Sequence, residues 1–206
     1  LDYTIIISDR SMFKGQLYIA RPGTNSPDRF NRFNWSGYSI RKFMDESFDG
    51  NLMNYGAHWP IIRYAEVLIS YLESKLENGE SIDQTLLNNT INQIRSRSDV
   101  NMPNVTTTSA SALKEIIRRE RRVEFAFEGL RYFDILRWKI ASTELNKQFT
   151  GMKLTDNPAA YTDFNVDNEG YLIYQKRAFK AGVNELWPIP LSEIQVNPKL
   201  TQNPGY

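Results

Sequence analysis

The spacing of apolar and polar positions predicts a central helix that begins near Ser109 or Ser111, either of which could cap it, and continues into the stretch RRERRVEFAFEGLRYFDILRW (118–138). At about 100° per residue, one broad apolar arc is expected to face the core. We expect Gly129 to end the first helix in a left-handed cap, so that a second, short helix runs from Leu130 to Lys139. The residues of the arc are Leu113, Ile116, Ile117, Val123, Phe127, Leu130 and Phe133.

Charged side chains lie within this arc and beside it: Glu120, Arg121, Glu124, Glu128, Arg131 and Asp134. A partly buried charge needs a partner, and residues three apart on a helix can pair, as in Arg121 with Glu124, Glu128 with Arg131, and Arg131 with Asp134. The alternative interpretation is catalytic, because a pair of carboxylates is the catalytic group of glycoside hydrolases. The flanking arginines, however, would hold the glutamates ionised, which leaves no general acid. We therefore interpret the six residues as a structural charge network.

Two helices are predicted before the central one. Pro60 occupies a first-turn position and Gly79 closes the first helix, whereas Ser81 and Gln84 form a capping box for a second helix that ends near Arg97. The short connection predicts an antiparallel hairpin about the size of one tetratricopeptide unit, which should pack on the central helix to cover its core. The apolar positions are Ile61, Ala65, Leu68 and Leu72, then Ile82, Leu86, Ile91 and Ile94.

Strand and turn signals dominate both ends of the chain. LDYTIII predicts a strand, and a turn at 167–170 precedes another. WPIP must be extended, and 191–195 can form one helical turn. We expect the tail to pack down through its apolar side chains, which are Trp187, Ile189, Leu200 and Tyr206. The sequence thus predicts one mainly α domain, in which tetratricopeptide-like helical hairpins (an α/α superhelix) are accompanied by long loops and minor β hairpins. Its parts are a loop-rich segment (1–59), a helical core (60–140) and an irregular, hairpin-containing tail (141–206).

Composition narrows the possible functions. The 206 residues are 41% hydrophobic and 24% charged, which is typical of a soluble globular domain, and a net charge of +1 gives no general attraction for nucleic acid. The absence of cysteine excludes disulfides, thiolate nucleophiles and cysteine zinc sites. His58 is the only histidine, and no glycine-flanked serine is present to form a triad with it. No calcium-loop spacing occurs. We expect no cofactor and no metal.

The segment RFNRFNWSGY interleaves aromatic with hydrogen-bonding side chains between turn residues. Aromatic faces can stack on the C–H face of a sugar ring, while amide and guanidinium groups bond its hydroxyls. The alternative is an aromatic loop that packs onto the core as a lid. On the first hypothesis, the candidate ligand-binding residues are Arg32, Phe33, Asn34, Trp35, Tyr38, Tyr55 and Trp59.

The central stretch 118–138 resembles the signature of the SusD/RagB family. Three further stretches resemble the same family in the same order: PIIRYAEVLISYLES (60–74), INQIRSRSDVNMP (91–103) and LWPIPLSEIQVNPKLTQNPGY (186–206). The resemblance covers residues 38–206, and Ser98 stands where the family usually has alanine.

The resemblance implies a surface lipoprotein of Bacteroidetes, of which this chain would be the C-terminal portion. It implies non-catalytic capture of oligosaccharides and their delivery to a SusC-like TonB-dependent transporter at the outer membrane, with a lipid anchor outside this chain. Peptide capture of the RagB type is an alternative, and hydrolysis by the central glutamates is a third hypothesis. If helices that complete the stack lie elsewhere, we expect this chain to expose an apolar face.

Overall fold

A computed structural model describes residues 2–21, 24–27, 35–154 and 164–206. The chain divides into two compact units. The helical unit is Gly56–Arg131, and the mixed unit combines Leu1–Tyr55 with Tyr132–Tyr206. The protein is mainly helical with small two-stranded sheets, as the sequence predicts.

The helical unit contains α1 (Tyr64–Glu77), α2 (Gln84–Asn88), α3 (Ile91–Arg95) and α4 (Ala110–Glu124). Helix α1 packs on both α3 and α4, so the central helix does cover the preceding helices. Their shared core is one cluster of buried side chains: Ala65, Leu68, Ile69, Leu72, Ile82, Leu87, Ile91, Ile94, Val105, Leu113, Ile117 and Phe125.

Helix α1 begins at Tyr64, four residues after the predicted start. Arg63 occupies the N-cap position in an extended conformation, so the helical spacing applies only from Ala65 onward. The prediction that Ile61 faces the core is therefore wrong, because this side chain lies before the helix and is exposed. Gly79 does close the helix, with a φ of 75° and its N–H donating to the carbonyl of Leu76.

The predicted second helix is broken into α2 and α3. The N-cap of α2 is Asp83, whose carboxylate accepts the N–H of Leu86, so the capping box at Ser81 is wrong. Between the two helices, Thr90 leaves the helical conformation (φ −128°, ψ −99°). Asparagine and threonine are poor helix formers, and the run 88–90 contains only these residue types. The apolar positions at 82, 91 and 94 are nonetheless buried as predicted.

Helix α4 ends at Glu124, before the predicted stop at Gly129. In the segment that follows α4, Phe127 (φ 66°) and Gly129 (φ 80°) have a left-handed backbone conformation. The short helix α5 (Arg131–Arg137) follows, within the range predicted for it. The start of α4 agrees with the sequence, since Ser109 lies at its N-cap, although its hydroxyl makes no capping hydrogen bond.

The predicted apolar arc is confirmed for residues in the first half of α4 and wrong for residues near and beyond its C-terminal end. Leu113 and Ile117 are buried, but Val123, Phe127 and Phe133 are exposed. Val123 lies at the edge of the arc, and the other two follow the last turn of α4, where a helical wheel no longer applies. Phe125, which the wheel did not select, is buried as the C-cap of α4.

The mixed unit has three antiparallel strand pairs among its described residues. Strand β1 (Ile5–Ile7) pairs with β4 (Tyr38–Ile40), β2 (Met12–Phe13) with β3 (Gln16–Leu17), and β5 (Gln148–Lys153) with β6 (Tyr171–Lys176). The predicted turn is present, since the Gly170 N–H donates to the carbonyl of Asp167 directly before β6. A 3-10 helix (Leu52–Asn54), α6 (Ala141–Leu145) and α7 (Leu191–Val196) complete the unit.

The C-terminal tail is held by hydrogen bonds. The Gln202 side chain bonds both the N–H and the carbonyl of Ile189, Asn203 donates to the carbonyl of Trp187, and the Tyr206 hydroxyl donates to that of Leu186. Trp187 is 74% exposed. The tail is therefore fixed, but the expectation that Trp187 packs down is wrong.

Candidate functional site

The charged residues of α4 find partners far away in sequence. Arg63 donates from Nη1 to Glu124 Oε1 (2.8 Å) and from Nη2 to the Glu124 carbonyl (3.0 Å). Arg97, after α3, donates from both terminal nitrogens to the two carboxylate oxygens of Glu124 (2.9 and 3.1 Å). The Glu124 side chain is only 12% exposed. Two guanidinium groups thus neutralise one nearly buried carboxylate.

Arg63 also binds Glu128 in a two-point contact, from Nε (3.0 Å) and Nη2 (2.7 Å). Burial alone would lower the pKa of Arg63, but the hydrogen bonds to Glu128 and Glu124 outweigh this effect and raise the pKa above its ordinary value. A planar guanidinium suits such paired contacts. Arg63 therefore joins the start of α1 to the end of α4.

Two further ion pairs extend this network. Arg95 on α3 donates to Glu120 at 2.5 Å. Arg121, itself buried, lies 3.9 Å from Glu73 on α1 and donates to the Ser70 hydroxyl. Arg63 and Arg121 both lie over the ring of Phe125, at 5.4 and 5.2 Å from its centroid. The acidic side chains of α4 therefore connect it to both α1 and α3.

The charge network predicted from the sequence includes Glu120, Glu124 and Glu128 but lacks four residues that the structure adds: Arg63, Glu73, Arg95 and Arg97. Helical spacing relates residues three or four apart, whereas Arg63 and Glu124 are 61 residues apart. The one available signal was the sequence RSR (95–97) at a helix end, since cations favour helix C-termini. Asp134 is buried on α5 and pairs with Arg137 at 2.8 Å, while Arg131 is the first residue of α5.

The carboxylates of the network are poorly arranged for acid–base catalysis. A general acid must present a proton on its carboxyl oxygen to a substrate. Both oxygens of Glu124 and both of Glu128 instead accept hydrogen bonds from guanidinium groups. This geometry supports a stabilising role.

Among the aromatic candidates, Trp35 is packed rather than presented flat to solvent. Its indole makes edge contacts with Phe164 (centroids 5.2 Å apart) and Tyr174 (5.6 Å), and it packs against the buried pair Leu154 and Leu172. The ring remains half-buried. Trp35 is therefore a part of a small aromatic cluster of the mixed unit.

The other candidates lie in different surroundings. Tyr38 is exposed on β4. The Tyr55 hydroxyl accepts the N–H of Asp45 and donates to the carbonyl of Phe43, so it fixes its own loop. Trp59 is 59% exposed and belongs to the helical unit. Arg32, Phe33 and Asn34 lie outside the described residues.

Within the described ranges, His, Asp and Glu side chains form no group of three or more that could hold a metal ion. In the same part of the chain, no helix is sufficiently long and apolar to cross a membrane.

The helical unit is built on packed helices, and the mixed unit contains small β ladders and a hydrogen-bonded tail. The sequence profile of the SusD family matches residues 8–206. The chain belongs to the SusD family.

Known relatives agree with this assignment. A SusD-like carbohydrate-binding protein from Bacteroides fragilis has a crystal structure that matches 98% of this chain and 41% of its own, with 37% identity and a TM-score of 0.83. The surface glycan-binding protein A from Bacteroides uniformis matches 86% of this chain and 35% of its own, with 25% identity and a TM-score of 0.55. A SusD-like protein from Bacteroides ovatus is 27% identical over 181 residues, which are 78% of this chain and 32% of that protein. The chain thus spans 32% to 41% of the length of these relatives.

Proposed function

We propose that the protein binds oligosaccharides at the outer-membrane surface, without catalysis, and delivers them to a SusC-like TonB-dependent transporter. The observation that carries the proposal is the match along 98% of the chain to a SusD-like carbohydrate-binding protein. We also propose the surface location and a lipid anchor outside this chain, which the family membership supports; the relative from B. uniformis is itself a surface glycan-binding protein.

Exposed aromatic rings support sugar binding. Trp59 and Tyr38 are both more than half exposed, and each offers an apolar face on which a pyranose ring can stack. Trp35 contributes the half-buried edge of an aromatic cluster. Arg32, Phe33 and Asn34 precede Trp35 in sequence, and we propose them as further contacts.

The absence of catalysis is part of the proposal. The glutamates at and after the C-terminal end of α4 are bound by arginines from the end of α3, from the segment after it and from the N-cap of α1. Because these carboxylates hold the helices together, we expect glycan binding without turnover.

The experiment is affinity gel electrophoresis of the full-length protein in amylopectin, xyloglucan, galactomannan and arabinan, with a reducing-sugar assay on the same mixtures. We expect retardation in at least one polysaccharide and no release of reducing ends. Retardation with release would support the hydrolase alternative. Binding to a peptide array, with no retardation in any polysaccharide, would support peptide capture instead.

A further inference from the structure

The β5–β6 hairpin lies unusually close to the residues around Trp35. The Met152 N–H donates to the Trp35 carbonyl at 2.8 Å. A Cβ on Gly151 would lie 2.2 Å from that carbonyl oxygen, and a Cβ on Gly37 would lie 2.0 Å from Met152 Cε. Distances this short leave no room for a side chain on Gly151, since the atom opposite belongs to the backbone. The hairpin therefore fixes the position of Trp35.

One face of the hairpin is directed toward the indole of Trp35. Successive side chains of a strand alternate between faces, so Leu172 and Tyr174 of β6 share one face. Leu172 is fully buried and packs against Trp35, while a Cβ on Gly151 would lie 3.5 Å from Cβ of Leu172. Tyr174 is therefore the next side chain on the face that holds Trp35.

Tyr174 connects the Trp35 cluster with the protein surface. Its ring centroid lies 5.6 Å from that of the indole, the two ring planes meet at 64°, and the residue is 53% exposed. Two rings in such an edge contact form a corner, and Tyr174 is its more exposed side. The phenolic hydroxyl at the rim can donate or accept one hydrogen bond.

We propose that Tyr174 is a ligand-binding residue of this protein and that, with Trp35, it forms a corner that takes one pyranose ring of a neutral oligosaccharide. The inference rests on the proposed function and extends the site from the loop before β4 to strand β6. A neutral sugar fits because its C–H face can stack on the tyrosine ring while its hydroxyls bond the phenol. No pattern in the sequence around 171–176 distinguishes this tyrosine from an ordinary strand residue.

The first test compares three full-length variants by affinity electrophoresis in the polysaccharide that retards the wild type most. Tyr174→Leu keeps apolar bulk beside Trp35 and removes the aromatic face, so we expect affinity to fall about tenfold, as for one aromatic anchor. Tyr174→Phe keeps the face and should stay within about threefold of the wild type. The matched control is Tyr71→Leu, because Tyr71 lies on α1 and is similarly exposed (51%). This variant should bind as the wild type does.

A second test needs no substitution. Nitration of the wild-type protein by tetranitromethane, read by mass spectrometry, should modify both Tyr174 and Tyr71. A short oligosaccharide cut from the same polysaccharide should protect Tyr174 alone. Wild-type affinity in Tyr174→Leu, or equal nitration of Tyr174 with and without the oligosaccharide, would overturn the inference and leave the proposed function intact. A wild-type protein that no polysaccharide retards would instead overturn the proposed function.

Discussion

The two units are stabilised in different ways. The helical unit has one core of twelve buried side chains and adds a network of arginine–glutamate pairs that are mostly shielded from water. The mixed unit, in its described residues, has two small clusters and relies on backbone hydrogen bonds and glycine contacts. The comparison indicates that charge in the helical unit serves folding, while aromatic rings such as Tyr38 and Tyr174 in the mixed unit remain more than half exposed.

The sharpest expected contrast is between Leu113→Ala in the helical unit and Leu172→Ala in the mixed unit. Both leucines are fully buried. We expect Leu113→Ala to cost near the upper end of about 2–5 kcal/mol, because many rigid neighbours surround the cavity, and Leu172→Ala to cost near the lower end, because a small cluster can collapse into it. Chemical denaturation of both variants measures the difference. A larger loss for Leu172→Ala would reverse the comparison.

The charge network predicts the next largest effect. Glu124→Ala leaves Arg63 and Arg97 without their shared carboxylate, and we expect a loss of about 3 kcal/mol of unfolding free energy. The matched control is Glu115→Ala on the same helix. The Glu115 side chain is 76% exposed and forms an ion pair with Arg118 at 3.3 Å. That variant should lose under about 1 kcal/mol. Equal losses would mean that the network adds nothing beyond a surface ion pair.

Helix capping provides a smaller test within the helical unit. Asp83→Ala removes the acceptor of the Leu86 N–H and should cost about 1 kcal/mol. Ser81→Ala should cost almost nothing, because Ser81 lies two residues before the observed cap. Thermal melting of the two variants decides between the observed cap and the cap that the sequence predicted.

The smallest effect concerns pH and the mixed unit. The hydrogen bond from Arg41 (2.6 Å) lowers the pKa of Glu46 below its ordinary value of 4.5. A carboxylate whose pKa is lower in the folded state stabilises the protein above that ordinary value, and the contribution is lost as pH falls through the folded pKa. Glu46→Gln should therefore cost under about 1 kcal/mol at neutral pH and nothing in strong acid. A constant difference across this range would contradict the assignment.

Local periodicity predicted much of the helical unit. Ala65, Leu68 and Leu72 follow from helical spacing alone, and all three are buried. Helix ends were harder to predict. The segment after α4 has a left-handed backbone at Phe127, and nothing in the sequence indicates that a bulky residue adopts this conformation.

Long-range partners could not be predicted from the sequence. Trp35 meets Phe164 and Tyr174, which lie more than a hundred residues further along the chain. Spacing rules connect only residues within one helix or strand, and Trp35 was therefore expected on an open loop. Its packing also means that Trp35→Ala would change stability and binding together, which makes Trp59 the better probe of sugar binding.

The most direct test of the account measures affinity and melting temperature together for Trp59→Ala and Glu124→Gln in the full-length protein. Isothermal titration would use an oligosaccharide from the polysaccharide that retards the wild type. Trp59→Ala should weaken binding by about 1–3 kcal/mol and leave the melting temperature unchanged, because its ring is exposed. Glu124→Gln should lower the melting temperature and leave the affinity unchanged, because it weakens charge-assisted hydrogen bonds inside the helical unit. Loss of binding in Glu124→Gln at an unchanged melting temperature would contradict the account.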